Sequence, residues 1–508
     1  MLSIRLEVEP AGFDALVLPV IPAAEADAGD GAGRLGSTSL TLDAELLAEA
    51  GALLSHLERP AVAGAVHRSI RPLSAPTRLF LLGVGDGTER DWRAAGAALA
   101  RAAANETSIT IAMPVDLDPA AVRGLAEGLW LASYRFRMPG PDGGPSGTDP
   151  AGSPAAEGVD RPTLDAVTVA VTDPEPYRAA LHTARVTAEA TRFARDLTMT
   201  PSALKTPAWF AEQVVSAAAG RSGLSVDVRE PDRLAAEGFG GILAVGGGSA
   251  RGPRLVELSW RPAAAQRHVV LVGKGITFDT GGISIKPREA MKLMRKDMGG
   301  AAAVVAATLG AAALDLPIRI TALAPLAENS LSGSAYRPGD VIRHYGGLTS
   351  ESTNTDAEGR LVVADALAYA VHRFAPDLLV DLATLTGANA VALGKRTAAL
   401  YSDRDDLAEA VLAAAEAAGE RAWRMPLPAD YTEYLSSDVA DLLSSPTQAI
   451  SVTSALYLRE FTGELRDRWV HVDMSAPSWS DSDDGELVKG ATGWGVRTLL
   501  RWLSTQTE

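Results

Sequence analysis

Two stretches of this 508-residue chain hold the residue types that do chemistry. Asn354-Thr355-Asp356-Ala357-Glu358-Gly359-Arg360 packs two carboxylates, a guanidinium and a glycine into one short run. Upstream, Val272-Gly273-Lys274-Gly275-Ile276-Thr277-Phe278-Asp279-Thr280-Gly281-Gly282 is followed by Lys286 and Asp297. Gathered at one place, Asp279, Asp297, Asp356 and Glu358 would repel one another, and burial would raise their pKa values. Divalent cations remove both problems. Two of them about 3.5–4 Å apart can share bridging carboxylates, a geometry that serves hydrolysis. The plainer reading of the first of these stretches is a helix with an acidic first turn, since Asp or Thr ahead of the apolar run Leu361–Ala370 is an N-cap signal.

The basic residues divide the work. Glycines on both sides of Lys274 let the backbone approach closely. Beside two dications the lysine's pKa would be driven down, and its neutral amine can then ligate a metal. Taken alone, it reads more simply as an ordinary lysine in a glycine turn. Lys286, in Ser284-Ile285-Lys286-Pro287, can stay charged and stabilise a tetrahedral oxyanion. Arg360 can hold an anion in a bidentate fork.

The elements that must position these groups alternate along the chain. His268–Gly273 is a continuous apolar run, as expected for a strand covered on both faces. Ala301–Leu314 reads as an Ala-rich helix, Ile318–Leu326 as a strand, Leu361–Phe374 as a helix and Leu378–Ala383 as a central strand. Ser225–Val228 reads as a short strand, and Gly240–Gly248 as a strand running into a glycine loop. This is a doubly wound pattern, in which ligands sit beyond the carboxyl ends of the strands. Earlier, Ala15–Val20, Arg78–Gly85 and Ser108–Met113 read as strands, with a helix over Asp91–Ala104 between the last two, implying a parallel pair with a crossover. Pro139–Pro162 is rich in Gly, Pro, Ser, Asp and Ala and reads as a surface excursion. Leu164–Val171 then resumes a strand, and Tyr177–Leu197 reads as a long helix leading out. The expected architecture is therefore α/β in two domains. A smaller N-terminal domain spans residues 1–173, with 139–162 as its excursion; a larger domain, 174–508, carries a mainly parallel doubly wound sheet.

Composition narrows the chemistry. The chain has no cysteine, which excludes disulfides, thiolate metal sites and a cysteine nucleophile, and suits a reducing cytosol. Its seven histidines are scattered singly, so a metal site must be built mainly from carboxylates. The net charge of −16 argues against general nucleic-acid binding, which needs a basic surface. No apolar run reaches the length of a membrane span, and the first ten residues read as a strand rather than a leader.

The motifs resemble those of the leucyl aminopeptidase (cytosol aminopeptidase) family, peptidase family M17. Asn354–Leu361 is similar to the family signature, Val272–Pro287 to a second long motif, and Lys296-Asp297-Met298-Gly299-Gly300-Ala301-Ala302-Ala303 to a third. Ala335–Val341 and Ala383–Ala388 also fit, and the likeness is dense from about Phe193 onward. The resemblance implies that Lys274, Asp279, Asp297, Asp356 and Glu358 ligate two divalent metals per subunit, manganese or zinc foremost, with Asp279 and Glu358 bridging. It implies that Lys286 binds the substrate carbonyl, and that Arg360 holds a bicarbonate acting as general base toward the attacking water. The substrate's free amino terminus would coordinate one metal, making the enzyme an aminopeptidase of leucine-type preference. Met294, Thr384, Gly387 and Ser475 would line the pocket for the first side chain. The family pattern further implies a cytoplasmic homohexamer acting on peptides.

Three departures stand out. Gly346–Thr353 replaces a more apolar, Lys-containing segment; Trp494-Gly495 stands where Arg-Pro is common; and Ser475 stands where a smaller residue is typical. Two other readings compete. One is a different two-metal hydrolase, such as a phosphoesterase. The other is a binding or scaffold role for the N-terminal domain, cued by Gly83-Val84-Gly85-Asp86-Gly87.

Overall fold

The two largest of four sheets, of seven and nine strands, organise the chain in a computed structural model that describes residues 1–10, 12–23, 32–136, 138 and 164–506. The stretch 139–162 lies outside the described residues. Contacts divide the chain into a first unit, 1–188 with 482–488, and a second, 189–481 with 489–508. The division falls within the helix Arg178–Met199, which the sequence reading places wholly beyond a boundary near Asp173.

The first unit has a seven-stranded sheet in the order Ser3–Glu7, Ala166–Ala170, Ser108–Ala112, Ala15–Pro22, Arg78–Gly83, Val66–Ile70, with Gly33–Leu35 added on Ala15–Pro22. The first five strands of that order run parallel, and Val66–Ile70 and Gly33–Leu35 run antiparallel to their neighbours. One expectation needs correction. Arg78–Gly83 and Ser108–Ala112 are not adjacent, because the buried strand Ala15–Pro22 lies between them and pairs with both. Its apolar residues are covered on both faces, so it takes the centre of the sheet. The Gly83–Gly87 turn leads into the helix Glu89–Ala102. There the Thr88 hydroxyl accepts from the Asp91 N–H at 3.2 Å while the Asp91 carboxylate accepts from the Thr88 N–H at 3.3 Å. A helix start already capped, with Glu89 and Asp91 in its first turn, repels a phosphate instead of cradling it.

The second unit holds a nine-stranded sheet. Its core runs Trp469–Asp473, Leu378–Ala383, His268–Gly273, Arg319–Asn329, all parallel, with Gly275–Asp279 also pairing on Arg319–Asn329. Arg254–Trp260 and Leu224–Arg229 extend one edge in antiparallel sense, and Ala398–Tyr401 and Ala422–Arg424 extend the other. Successive side chains of a strand face opposite sides. Val269 and Leu271 accordingly enter one core with the helix Gly299–Ala313, while Val270 and Val272 enter the other with the helix Glu358–Phe374. The chain leaves His268–Gly273 to build one neighbour through the first helix and the other through the second. The order reverses around this strand, and its carboxyl end opens onto the switch-point crevice where such sheets bind ligands.

The run Gly240–Gly246 is a helix, not the expected strand. A short apolar run cannot be assigned from periodicity alone. Here the Asp365 carboxylate accepts from the Ile242 N–H at 2.9 Å, and Gly240 and Gly241 let the turn press against the carbonyls of Arg343 and Leu361.

Candidate active site

Lys274 follows directly from the strand His268–Gly273, so it stands at the switch point. Its main chain is fixed on two sides: its N–H donates to Leu382 O at 3.0 Å and its carbonyl accepts from Ala301 N at 2.9 Å. The side chain is buried, with Nζ 2.9 Å from both Asp297 Oδ2 and Glu358 Oε1, and it donates to Thr384 O at 2.8 Å.

Asp279 ends the strand Gly275–Asp279 and is followed closely by Gly281 and Gly282, both at positive φ. A Cβ at Gly281 would lie 2.4 Å from Ser284 O and 2.9 Å from Asp356 Oδ1, so glycine is required for the turn to fold over the site. Asp279 Oδ1 accepts from Gly281 N and from Asn329 Nδ2, each at 2.8 Å. Its Oδ2 faces Lys286 Nζ at 2.8 Å, and Lys286 also pairs with Asp356. Asp297 follows the short turn Met294–Lys296, and its Oδ1 accepts from the Thr384 hydroxyl at 2.7 Å.

The helix Glu358–Phe374 supplies Glu358 and Arg360 from its first turn. The expected cap is absent: the cap position is Ala357, which makes no side-chain capping bond. Thr355 Oγ1 instead donates to Gly281 O at 2.7 Å and accepts from Ser284 N at 2.8 Å, and Asp356 turns toward Lys286. The carboxylate is thereby left available to the site. The Arg360 guanidinium is buried, donates to Ser444 O, and keeps its Nε without a hydrogen-bond partner.

All five proposed ligands thus meet. Asp279, Asp356 and Glu358 can each offer one oxygen to a common point, the three atoms lying within 4.8 Å of one another. Asp297 joins them through Lys274. The remaining predicted residues are adjacent: Thr384 bonds to Asp297, the Met294 carbonyl accepts the Asp297 N–H at 3.1 Å, and Gly387 and Ser475 lie on the turns that follow Leu378–Ala383 and Trp469–Asp473.

The electrostatics of the cluster are those of a cation site. Burial, then the charges of Glu358 and Asp297, push Asp279 well above the usual carboxylate range. Burial also pushes Asp297 up to about 6, with Lys274 pulling against it. Burial works against the charge of Glu358 too, yet Lys274 and Lys286 hold it below its ordinary value. The lysines are opposed by burial but raised above the usual lysine range, Lys274 by Asp297 and Glu358, Lys286 by Glu358 and Asp279. The acids around Lys274 thus favour its ammonium form. It becomes the neutral amine expected of a ligand only where nearby positive charge overrides that field. The donor set fits divalent cations. Glu358 Oε2 is buried with no hydrogen-bond partner, and Asp297 Oδ2 has only the Lys274 charge, without hydrogen-bond geometry. The ammonium groups stand where positive charge is needed.

Sequence reasoning missed two residues. Asn329 ends the strand Arg319–Asn329; its amide orients Asp279 and also donates to Thr355 O at 3.0 Å. Asp473 ends Trp469–Asp473 and binds the loop after Leu378–Ala383. Their only sequence signal is a position at the carboxyl end of a parallel strand.

A doubly wound α/β unit with acids and lysines assembled at its switch point defines a class, the hydrolases that work through a carboxylate-built metal centre. Comparison with known proteins narrows it. The catalytic domain of the cytosol aminopeptidase family matches residues 192–500, and the family's N-terminal domain matches residues 32–138. A probable cytosol aminopeptidase of Micrococcus luteus is 44% identical over 494 residues, covering 93% of this chain and 94% of that one. One from Streptomyces coelicolor is 41% identical over 92% of this chain and 93% of its own. Among solved structures, the bottromycin maturation enzyme BotP in complex with Mn aligns with a TM-score of 0.80 at 36% identity, covering 97% of this chain and 100% of that one. A mutant tomato leucine aminopeptidase aligns with a TM-score of 0.80 at 28% identity, over 99% of this chain and 97% of its own. The chain belongs to the cytosol aminopeptidase family. It is an aminopeptidase, a hydrolase of the exopeptidase kind.

Proposed function

We propose that this aminopeptidase carries two divalent cations, held by Lys274, Asp279, Asp297, Asp356 and Glu358, and releases N-terminal residues of leucine type from peptides. The observation that carries the reading is the convergence of these five side chains, with a buried Glu358 oxygen lacking any hydrogen-bond partner. Asp279 and Glu358 would be among the carboxylates that hold them. Manganese or zinc bound there supplies Lewis acidity and a lowered pKa for water. The similarity to BotP, whose structure is a complex with Mn, favours manganese.

The chain's own groups do the rest. Lys286, held protonated by the surrounding acids, donates to the carbonyl oxygen of the scissile bond as it becomes an oxyanion. Arg360, buried with a free Nε, would hold a bicarbonate, which would supply a general base there. Thr384, Gly387, Ser475 and Met294 enclose the first side chain. Asn329 keeps Asp279 in its ligating orientation.

The relatives' names and the absence of cysteine support a cytoplasmic location, and the family resemblance supports a homohexamer. Among the described residues no helix is long and apolar enough to cross a membrane.

The test is a leucyl peptide with a free and with an acetylated amino terminus, alongside metal analysis of the purified protein and a panel of aminoacyl substrates. Hydrolysis is expected only with the free amine and with two metals per subunit. Rapid cleavage of the acetylated peptide, or of phosphate esters alone, overturns the reading.

A further inference from the structure

The groups that line the first-side-chain pocket come largely from two turns remote from each other in sequence. Among the groups that join them, one side chain makes the most bonds. Asp473 is buried at the carboxyl end of Trp469–Asp473, beside Ala383 in the parallel register. Its Oδ1 accepts from Leu385 N and Ser475 N, each at 3.0 Å. Its Oδ2 accepts from Thr386 N at 2.9 Å, the Thr386 hydroxyl at 3.0 Å and Asn389 Nδ2 at 2.6 Å. Every donor belongs to one of the two turns or to the helix start just after the first. Ser475 Oγ closes the loop by donating to Thr386 O. The turn Thr384–Gly387 is held as well to the ligands, through Thr384 Oγ1 on Asp297 and Lys274 Nζ on Thr384 O.

These donors, backbone and side-chain, surround the buried Asp473 carboxylate, and the positive charges of Lys296 and Arg360 also act on it. A carboxylate that accepts several backbone N–H groups is a stiff fixture, since charged hydrogen bonds are about twice as strong as neutral ones. The position of Gly387 fits an open cavity wall: a Cβ there would meet no atom within 4 Å.

We propose that Asp473 is the positioning residue of the specificity pocket: it locks the turn carrying Thr384 and Gly387 to the turn carrying Ser475, and so sets the pocket's width. This rests on the pocket reading given above. It predicts that Asp473 acts on which first residue is accepted, and not on whether metals bind.

Asp473→Asn keeps the size but turns an NH₂ group toward N–H donors that need an acceptor. The variant is expected to lose about 10–100-fold in kcat/KM on leucyl substrates, the cost of removing an orienting partner, mainly through KM. Alanyl substrates should lose less, and metal content should stay at the wild-type value. Thr386→Val, which removes one hydroxyl and no backbone donor, should shift selectivity in the same direction by less, and guards against a folding failure in the first variant. A uniform loss on leucyl and alanyl substrates, a loss of metal, or unchanged selectivity in both variants overturns the proposal. Met294→Ala separates the two readings. If it changes selectivity while the Asp473 and Thr386 variants do not, the pocket stands and the positioning role falls. If it changes nothing, the pocket assignment itself falls.

Discussion

Gly359 lies directly under the Lys274 side chain: a Cβ at that position would sit 2.4 Å from Lys274 Cε and 2.5 Å from Nζ. The glycine between Glu358 and Arg360 is thus the floor on which the ammonium rests. Lys274 cannot yield without breaking its ties, because Nζ is held to Asp297, Glu358 and Thr384 O. Gly359→Ala should leave the fold intact, as alanine favours a helix by about 0.5–1 kcal/mol over glycine and offsets part of the crowding. It should displace Lys274 and lower kcat by about 10²-fold, the cost of a misplacement near 1 Å. Thermal unfolding and turnover measured together check this; unchanged turnover refutes the packing argument.

Glu358→Gln tests the proposal that Glu358 is a metal ligand. The change keeps volume and removes charge from a buried site where Lys274 and Lys286 hold Glu358 ionised. Metal content after dialysis should fall, and activity should drop by more than the about 10–100-fold that an outer-shell partner costs. Full activity with full metal content would falsify the assignment.

Lys286→Met separates catalyst from ligand. Turnover should fall by about 10²–10³-fold, as for loss of one oxyanion donor. The metals should remain, since Asp279 and Asp356 lose only a counter-ion that cations replace. Elemental analysis of the variant decides: a metal-depleted protein would mean that Lys286 holds the centre together.

Stability should vary with pH through a residue far from catalysis. Burial first, then the Arg319 charge, hold His268 down at about 4. Its Nε2 shares a hydrogen bond of 3.0 Å with Thr321 Oγ1. Unfolding returns the ring to a pKa near 6.5, so the unfolded chain binds more protons between about 6.5 and about 4, and stability falls as pH drops through that window. At pH 5 the loss from this group is at most about 2 kcal/mol. Urea unfolding of wild type and His268→Gln at pH 7 and pH 5 isolates it: the variant should show the smaller decline, and parallel declines would sink the argument.

Much of this molecule is legible in its sequence, and the misses share one cause. The strands His268–Gly273 and Leu378–Ala383 and the body of the helix, Leu361–Phe374, can be read because apolar runs flanked by glycine and charge bury on known faces. Gly240–Gly246 misleads because its helical form depends on Asp365, far along the chain. Asp356 looks like a cap and is not one, because Thr355 and Lys286 take the neighbouring bonds.

The sequence by itself determined which groups are proposed for this enzyme's chemistry: four acids, two lysines and an arginine set in glycine-rich motifs, where residue type and local spacing carry the information. The tertiary structure alone decided how they are held. Asn329 reaches Asp279, Asp473 ties together two turns, and Gly359 supports Lys274, all through contacts between parts of the chain that only folding brings within hydrogen-bond or van der Waals range. Such contacts form across parallel strand ends, whose neighbours are set by the order of the sheet and not by the order of the residues.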